Sequence, residues 1–519
     1  MSISAQISRR RFLQRAGASI AVGVAMTSLP ACATSKLGTK SGSMAREITR
    51  LSGLELSSAI RSRQFSCQEV MQAYLDQIEI LNPVYNAIVS LGDREALMKQ
   101  ASRYDDELSV GQYRGWMHGF PFSIKDLADA KGYLSSYGSP IFRNNIATKD
   151  SIHVERIRNA GAIIIGKTNV PEFGLGSHTY NPVFGPSLNP YDAKSSVGGS
   201  SGGAAASLAL QTSPVADGSD LMGSLRNPGA FNNVIGFRPT PGLVPLSRSY
   251  KEELPCNGPM GRNVADTAML LSTMAGFDPR SPSSLNSDPR EFTRPLQRDF
   301  KDVRVGWLGN YDGYLAMEDG VLSLCEDAMK NFETVGCRVE AVKLDYSMEE
   351  LWQTWLTFRH WLVRSRGLAL YEDPKKRALL KPEFVWEVEG GANLSGDDVS
   401  RASAARARWY AALEKAFAKY DYLVLPTAQV FPFDAQEHWP KEIAGKQMDT
   451  YHRWMEVVIG GTLSGCPVAN VPAGFGKRGL PMGLQIIARR YQDFSCLQMA
   501  YAYEQAARWN LDKVPPVLS

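Results

Sequence analysis

Two serines set among glycines are the residues of this chain best suited to do chemistry. Ser200 lies in Gly198-Gly199-Ser200-Ser201-Gly202-Gly203, and Ser224 closes Gly218-Ser219-Asp220-Leu221-Met222-Gly223-Ser224. Glycine admits sharp turns and close backbone approaches that a Cβ would block, so amide N–H groups around each serine can face a bound group. Between the loops, Ala204 to Leu210 reads as a small-residue helix that packs tightly and draws them together. The arrangement implies a site with two converging hydroxyls. Serine is a weak nucleophile until a neighbouring group takes its proton, so such a site needs a base.

One candidate base lies 75 residues before Ser200: Lys125 ends the strand-like run Gly119-Phe120-Pro121-Phe122-Ser123-Ile124, ahead of a loop closing near Tyr137-Gly138-Ser139. Taken alone, a lysine at a strand end is a solvated charge. Other readings of the same letters fit less well. Gly198 to Gly202 satisfies the G-x-S-x-G elbow that would make Ser200 the nucleophile. However, Asp192-Ala193-Lys194-Ser195-Ser196 is no apolar strand leading into it. GGSSGG as a flexible linker does not explain the second serine loop. Gly161 with Gly166-Lys167-Thr168 matches part of a phosphate loop, but an apolar strand fills the interval and Pro171 follows, which argues against nucleotide binding.

Taken together, Lys125 in its FSIKD stretch, GGSSGG at 198–203 and GSDLMGSLRNP at 218–228 resemble the amidase signature family of Ser-cisSer-Lys amide hydrolases. The likeness continues in Gly236-Phe237-Arg238-Pro239-Thr240-Pro241-Gly242, in Gly258-Pro259-Met260-Gly261-Arg262 with Asp266, and in Val471-Pro472-Ala473-Gly474-Phe475 with Gly479 to Gln485. The spacing of 24 residues between Ser200 and Ser224 also suits the family pattern. The resemblance implies that Ser224 is the nucleophile, Ser200 a bridging serine on a cis peptide after Gly199, and Lys125 the general base. Lysine ordinarily titrates near 10.4, so burial must lower it by several units for this role. The amides of Leu221, Met222, Gly223 and Ser224 are the expected oxyanion donors. The family more often has glycine at Met222. If the turn needs a positive φ there, Met222 is strained, and its side chain instead narrows the pocket. Asp220 and Arg226 are expected to support the loop by hydrogen bonds, and Ser201 to contact Lys125.

The elements that must hold these residues read as α/β. Ser66-Cys67-Gln68-Glu69 has the form of a capping box, followed by Val70, Met71, Tyr74, Leu75, Ile78 and Leu81 at helical spacing and a stop at Asn82-Pro83. A helix over 152–159 leads into a buried strand between Gly161 and Gly166, and strand, helix, strand recurs over 303–342, with another strand at 422–426. The fold expected is a single large α/β/α domain with a mixed central sheet, over residues 46–517.

The N-terminus is different in kind. Ser8-Arg9-Arg10-Arg11-Phe12-Leu13-Gln14 precedes an uncharged run from Ala16 to Pro30 and the cleavage pattern Ala31-Cys32-Ala33. This resembles a twin-arginine export signal over 1–33, with a linker over 34–45, and implies a periplasmic or secreted protein. The run is too short and too rich in Ala and Gly for a stable transmembrane helix. Leu29-Pro30-Ala31-Cys32 also has the outline of a lipoprotein box, with Cys32 as the acylated residue, although Pro30 fits it poorly.

Composition sets further limits. The 519 residues are 44% hydrophobic and 21% charged with a formal charge of +4, which resembles neither a disordered nor a nucleic-acid-binding chain. Cysteines and histidines are scattered without metal-ligand spacing, so no metal or cofactor is expected. An aromatic-rich region holds Trp352, Trp355, Phe358, Trp361 and Tyr371, then Phe431, Phe433, Trp439, Tyr451 and Trp454. At least half of these are expected in the core, the remainder hinting at a bulky or aromatic substrate. The function expected is hydrolysis of a small-molecule amide. Alternatives are an amidotransferase A-type subunit, which an export signal would separate from tRNA, an esterase or carbamate hydrolase of the same fold, and a catalytically silent member. Oligomeric state is open.

Overall fold

The structure is a computed structural model that describes residues 44–246 and 254–519. The export segment, its Cys32 and most of the expected linker lie outside the described residues. Residues 44–50 are already helical, so the expected linker end at 45 falls inside a helix.

Strand assignments follow the apolar runs. β1 (Ile88–Val89), β2 (Pro121–Lys125) and β3 (Ile163–Thr168) form a small sheet in the order β1-β3-β2, with β2 and β3 parallel and Lys125 opposite Thr168. Both longer strands are buried at every position, the lysine near the C-terminal end of each included. β4 (Leu188–Asn189) and β5 (Asp192–Ser196) make a hairpin. The polar segment 192–196 is thus a strand, but it belongs to this hairpin and not to a sheet feeding a nucleophile elbow.

The main sheet has eight strands: β6 (Val215–Asp220), β7 (Ile235–Arg238), β8 (Cys256–Gly261), β9 (Arg304–Trp307), β10 (Arg338–Ala341) and β11 (Tyr422–Pro426), then, beyond a short hairpin of β12 (Glu442–Ile443) and β13 (Lys446–Gln447), β14 (Val468–Phe475) and β15 (Pro481–Ala488). Their order is β10-β9-β11-β15-β14-β7-β8-β6. β10, β9 and β11 run parallel, and the remaining pairs are antiparallel. The sheet is therefore mixed, as expected. Its edge strand β6 packs beside β2, so the ends carrying Asp220 and Lys125 come together.

Helices set the loops. α1 (Cys67–Tyr85) starts with the Ser66/Glu69 capping box and runs through Pro83 to Asn86, a left-handed cap whose N–H bonds Asn82 O at 2.8 Å. It therefore extends past the Asn82-Pro83 stop expected from sequence. Pro83 lies in the last turn and forfeits the N–H bond to the carbonyl of Glu79, a residue on the exposed face. α2 (Ile152–Asn159) enters β3 through Gly161, whose φ of +102° and closeness to His118, 2.7 Å from a would-be Cβ, admit only glycine. α3 (Gly202–Ala209) is buried at every position, and a Cβ on Gly203 would come within 2.3 Å of the Asn169 N. Small residues thus bring this helix, and Ser200 before it, hard against the β3 exit. The long α4 (Met348–Glu372) and α5 (Gly396–Phe417) carry Trp352, Trp355 and Trp409 into the core, where Trp454 joins them. No helix among the described residues is long and apolar enough to cross a membrane.

Candidate active site

Lys125 ends β2 with its side chain 1% exposed and its Nζ enclosed by hydroxyls. Ser200 Oγ lies at 2.9 Å, Ser201 Oγ at 2.7 Å, Ser219 Oγ at 3.0 Å and the Ser219 carbonyl oxygen at 3.3 Å. Burial lowers the pKa of Lys125 to about 7, with the negative field of Asp217 and Asp220 opposing the shift. Near neutral pH the amine is therefore divided between its charged and neutral forms.

The serine loops meet at this amine. The Gly199–Ser200 peptide bond is cis. Its surroundings are fixed by Ser177 Oγ, which donates to Gly199 O at 2.6 Å, and Thr179 Oγ1, which donates to Gly198 O at 2.8 Å. The Ser201 N–H donates to Ser224 O at 3.2 Å, tying one loop to the other. Ser200 and Ser224 themselves make no hydrogen bond to each other among the described residues, the tie running through Ser201, but both border the same cavity.

Asp220 braces the turn that carries Ser224. Its carboxylate accepts from Gly223 N–H at 2.9 Å and Leu225 N–H at 3.2 Å, and takes Arg226 in two bonds of 3.0 Å and Arg238 at 3.2 Å. Burial alone would raise its pKa, but the two guanidiniums outweigh that and hold the carboxyl below the usual range. Arg226 extends the brace to Val458 O at 2.9 Å, Gln485 Oε1 at 2.6 Å and Thr462 Oγ1 at 2.8 Å.

Two expectations for this turn are corrected. The left-handed position is Gly223, with φ +79° and a would-be Cβ 2.1 Å from Asn227 Oδ1, and not Met222. Met222 is unstrained in this respect, and its side chain packs 3% exposed into the core instead of narrowing the cavity. The Gly223 N–H, expected among the oxyanion donors, is directed to Asp220. Among the described residues, the amides of Leu221, Met222 and Ser224 have no protein acceptor, and Leu221 and Ser224 line the cavity.

The cavity holds about 530 Å³ and is lined on one side by Lys125, Ser200, Ser219 and Ser224. An aromatic wall faces them: Tyr137 and Phe142 meet edge to face at 5.3 Å, Phe142 and Phe173 at 6.1 Å, and Phe173 lies 4.8 Å from Phe384. Tyr137 and Phe173 both sit in the left-handed region, at φ 54° and 53°, and are linked by Phe173 N–H to Tyr137 O at 2.8 Å. Such strain in non-glycine residues concentrates at functional sites. None of the ten aromatics singled out from sequence lines this cavity. Seven of them, including Trp352, Trp355 and Trp454, are buried in the core. The wall is built from a turn residue, Tyr137, two short 3-10 turns holding Phe142 and Phe173, and the helix Pro382–Gly390 holding Phe384, which share no periodicity to reveal it. Asp217 and Ser219 were also missed, although alternation along β6 places them on one strand face. Among the described residues no cluster of His, Cys, Asp and Glu could hold a metal ion.

A glycine-rich turn carrying Ser224, a second serine hydroxyl and a buried amine thus meet at one cavity on a mixed α/β sheet. The amidase family model matches residues 69–497, and the chain belongs to the amidase signature family, as an amide-hydrolysing enzyme. It is 33% identical over 477 residues to an acylamidase of Rhodococcus erythropolis, covering 90% of this chain and 97% of that protein. It is also 31% identical over 498 residues to the A-type subunit of the glutamyl-tRNA(Gln) amidotransferase of Thermosynechococcus vestitus, covering 88% and 98%. A crystal structure of a bacterial aryl acylamidase of the same family superimposes with a TM-score of 0.83 at 28% identity, covering 88% of this chain and 96% of that one.

Proposed function

We propose that this chain is an exported acylamidase that hydrolyses amides bearing an aromatic or bulky group, through an acyl-enzyme on Ser224 with Ser200 as relay and Lys125 as base. The observation that carries this reading is the amine of Lys125, buried among three serine hydroxyls and close to neutrality. Ser224 Oγ attacks the amide carbon while its proton passes to Ser200 Oγ and that of Ser200 to Lys125 Nζ. This requires the Ser224 hydroxyl to close on Ser200 once substrate is bound, as catalytic hydrogen bonds in ligand-free sites commonly do. The oxyanion is received by the amides of Leu221, Met222 and Ser224. Each such donor is typically worth about 3 kcal/mol to the transition state. Collapse of the tetrahedral intermediate breaks the C–N bond, and the proton held on Lys125 returns through Ser200 to the leaving amine. Water then repeats the sequence on the acyl ester and frees Ser224.

The aromatic wall of the cavity and the likeness to an aryl acylamidase support an aryl or similarly bulky substrate. The twin-arginine pattern before residue 34 supports export. The amidotransferase reading is favoured by the amidotransferase relatives but needs a partner and a cytoplasmic tRNA substrate. The purified chain alone, offered a panel of anilides, aliphatic amides, peptide amides, esters and carbamates, is expected to turn over anilides fastest. Activity appearing only with added amidotransferase partner proteins would overturn the acylamidase reading, and a preference for esters or carbamates would overturn the amide assignment.

A further inference from the structure

A second polar cluster borders the cavity next to Lys125, and the proposed reaction does not use it. Asp217 on β6 is 1% exposed. Its Oδ1 accepts the backbone N–H of Lys125 at 2.9 Å, and its Oδ2 lies 3.3 Å from His153 Nε2 in the first turn of α2. Asn257 on β8, opposite Ser219 in the ladder, places its Nδ2 at 3.1 Å from His153 Nδ1. With the Asn257 amide donating, Nδ1 accepts, so the ring proton sits on Nε2 and points at Asp217. All three side chains line the cavity that Lys125 and Ser224 share.

The bonding pattern is selective. Asp217 takes donors from the main chain of Lys125 and from His153, and Asp217 makes no hydrogen bond or ion pair with Lys125 Nζ among the described residues. A carboxylate in contact with that amine would keep it protonated. Held slightly away, the carboxylate supplies a field that offsets part of the desolvation without capturing the charge. Other ionisable groups around this cluster are Asp220 on β6, Cys256 on β8, whose thiol burial pushes up to about 12, Lys167 on β3 paired with Asp126 just after β2, and, across the cavity, Arg359 and Arg366. Of the two carboxylates whose fields reach Lys125, Asp220 is already matched by Arg226 and Arg238. Asp217 is left, among the described residues, as the one without a lysine or arginine at contact distance.

We propose that Asp217, aimed by His153 and Asn257, is a positioning residue for Lys125: it fixes the strand end that carries the amine and keeps that amine basic enough to take the proton from the serine relay. This rests on the reading of Lys125 as the base. Without the carboxylate the amine would stay neutral to lower pH but would be a poorer base.

The test is the rate at which a fluorophosphonate labels the purified enzyme as a function of pH, which needs no knowledge of the natural substrate. Wild-type labelling is expected to rise through an acid limb near neutral pH that Lys125→Ala loses. Asp217→Asn is expected to move that limb to lower pH by about one unit or more and to cut the plateau rate about tenfold. His153→Leu is expected to move it the same way by less, with His153→Gln, which keeps a neutral donor, restoring it. These two variants carry the test should Asp217→Asn fail to fold. A limb that survives in Lys125→Ala overturns the base reading. A limb lost in Lys125→Ala but unmoved in Asp217→Asn, or unmoved in both His153 variants, overturns this inference alone.

Discussion

Lys125 and Lys167 stand on adjacent parallel strands, Lys125 opposite Thr168 and Lys167 opposite Ile124, and both are almost wholly buried. Burial depresses both amines. Their partners differ. Lys167 Nζ lies 3.3 Å from the Asp126 carboxylate and donates to the Ala128 carbonyl, whereas Lys125 Nζ meets three hydroxyls and a carbonyl, with its nearest carboxylates engaged elsewhere. A buried lysine in contact with a carboxylate is a structural ion pair. A buried lysine among hydroxyls can give up and recover a proton. Desolvation is common to both sites, so the partner decides the role.

The comparison breaks if the two lysines behave alike. The largest difference is expected in turnover: Lys125→Ala should lower kcat/KM on an amide substrate by about a thousandfold or more while circular dichroism and Tm show an intact fold. A Lys125→Ala enzyme with the wild-type rate across the pH range would remove Lys125 as the base. Next in size is stability. Lys167→Met leaves Asp126 buried without its cation and should cost about 3 to 5 kcal/mol in denaturant unfolding, the usual penalty for breaking one side of a buried pair. Lys125→Met, by contrast, removes a desolvated amine and should leave stability unchanged or raise it by about 1 kcal/mol, in exchange for activity.

The last effect, spread over several pH units, is in the pH dependence of stability. The folded amine of Lys125 titrates at about 7 and the unfolded one near 10.4. Between those values the unfolded chain binds the extra proton, so stability rises with pH across that window by roughly 1 kcal/mol per unit. Below about 7 both states are protonated and this gain is absent. Denaturant midpoints measured from pH 7 to 10 should show the slope in the wild type and lose it in Lys125→Met. An equal slope in both would mean that the amine is not depressed in the fold.

How much of this was legible in the chain itself follows from how local each signal is. The glycine-flanked serines, the buried strands around Lys125 and Lys167, the Ser66/Glu69 cap and the small-residue helix after Ser201 all declare themselves within a few residues, and the structure has each of them. Pro83 misled because a proline in a final helical turn looks like a stop. Met222 misled because the positive φ sits one residue later, at Gly223. The aromatic wall of Tyr137, Phe142, Phe173 and Phe384 was hidden because short segments distant in sequence build it, while the conspicuous tryptophans at helical spacing fill the core. Lys125 and Lys167 looked alike in sequence, each at the end of an apolar strand. Apart from the family resemblance around Lys125, it is the tertiary placement of Asp126 and of the three hydroxyls that separates them.

The central claim is that Ser224 carries the acyl group while Ser200 only passes a proton. It is tested most directly by labelling the purified protein with a fluorophosphonate and mapping the modified peptide by mass spectrometry. The account predicts the adduct on Ser224, with labelling abolished in Ser224→Ala. An adduct on Ser200, or unchanged labelling of Ser224→Ala, would contradict it.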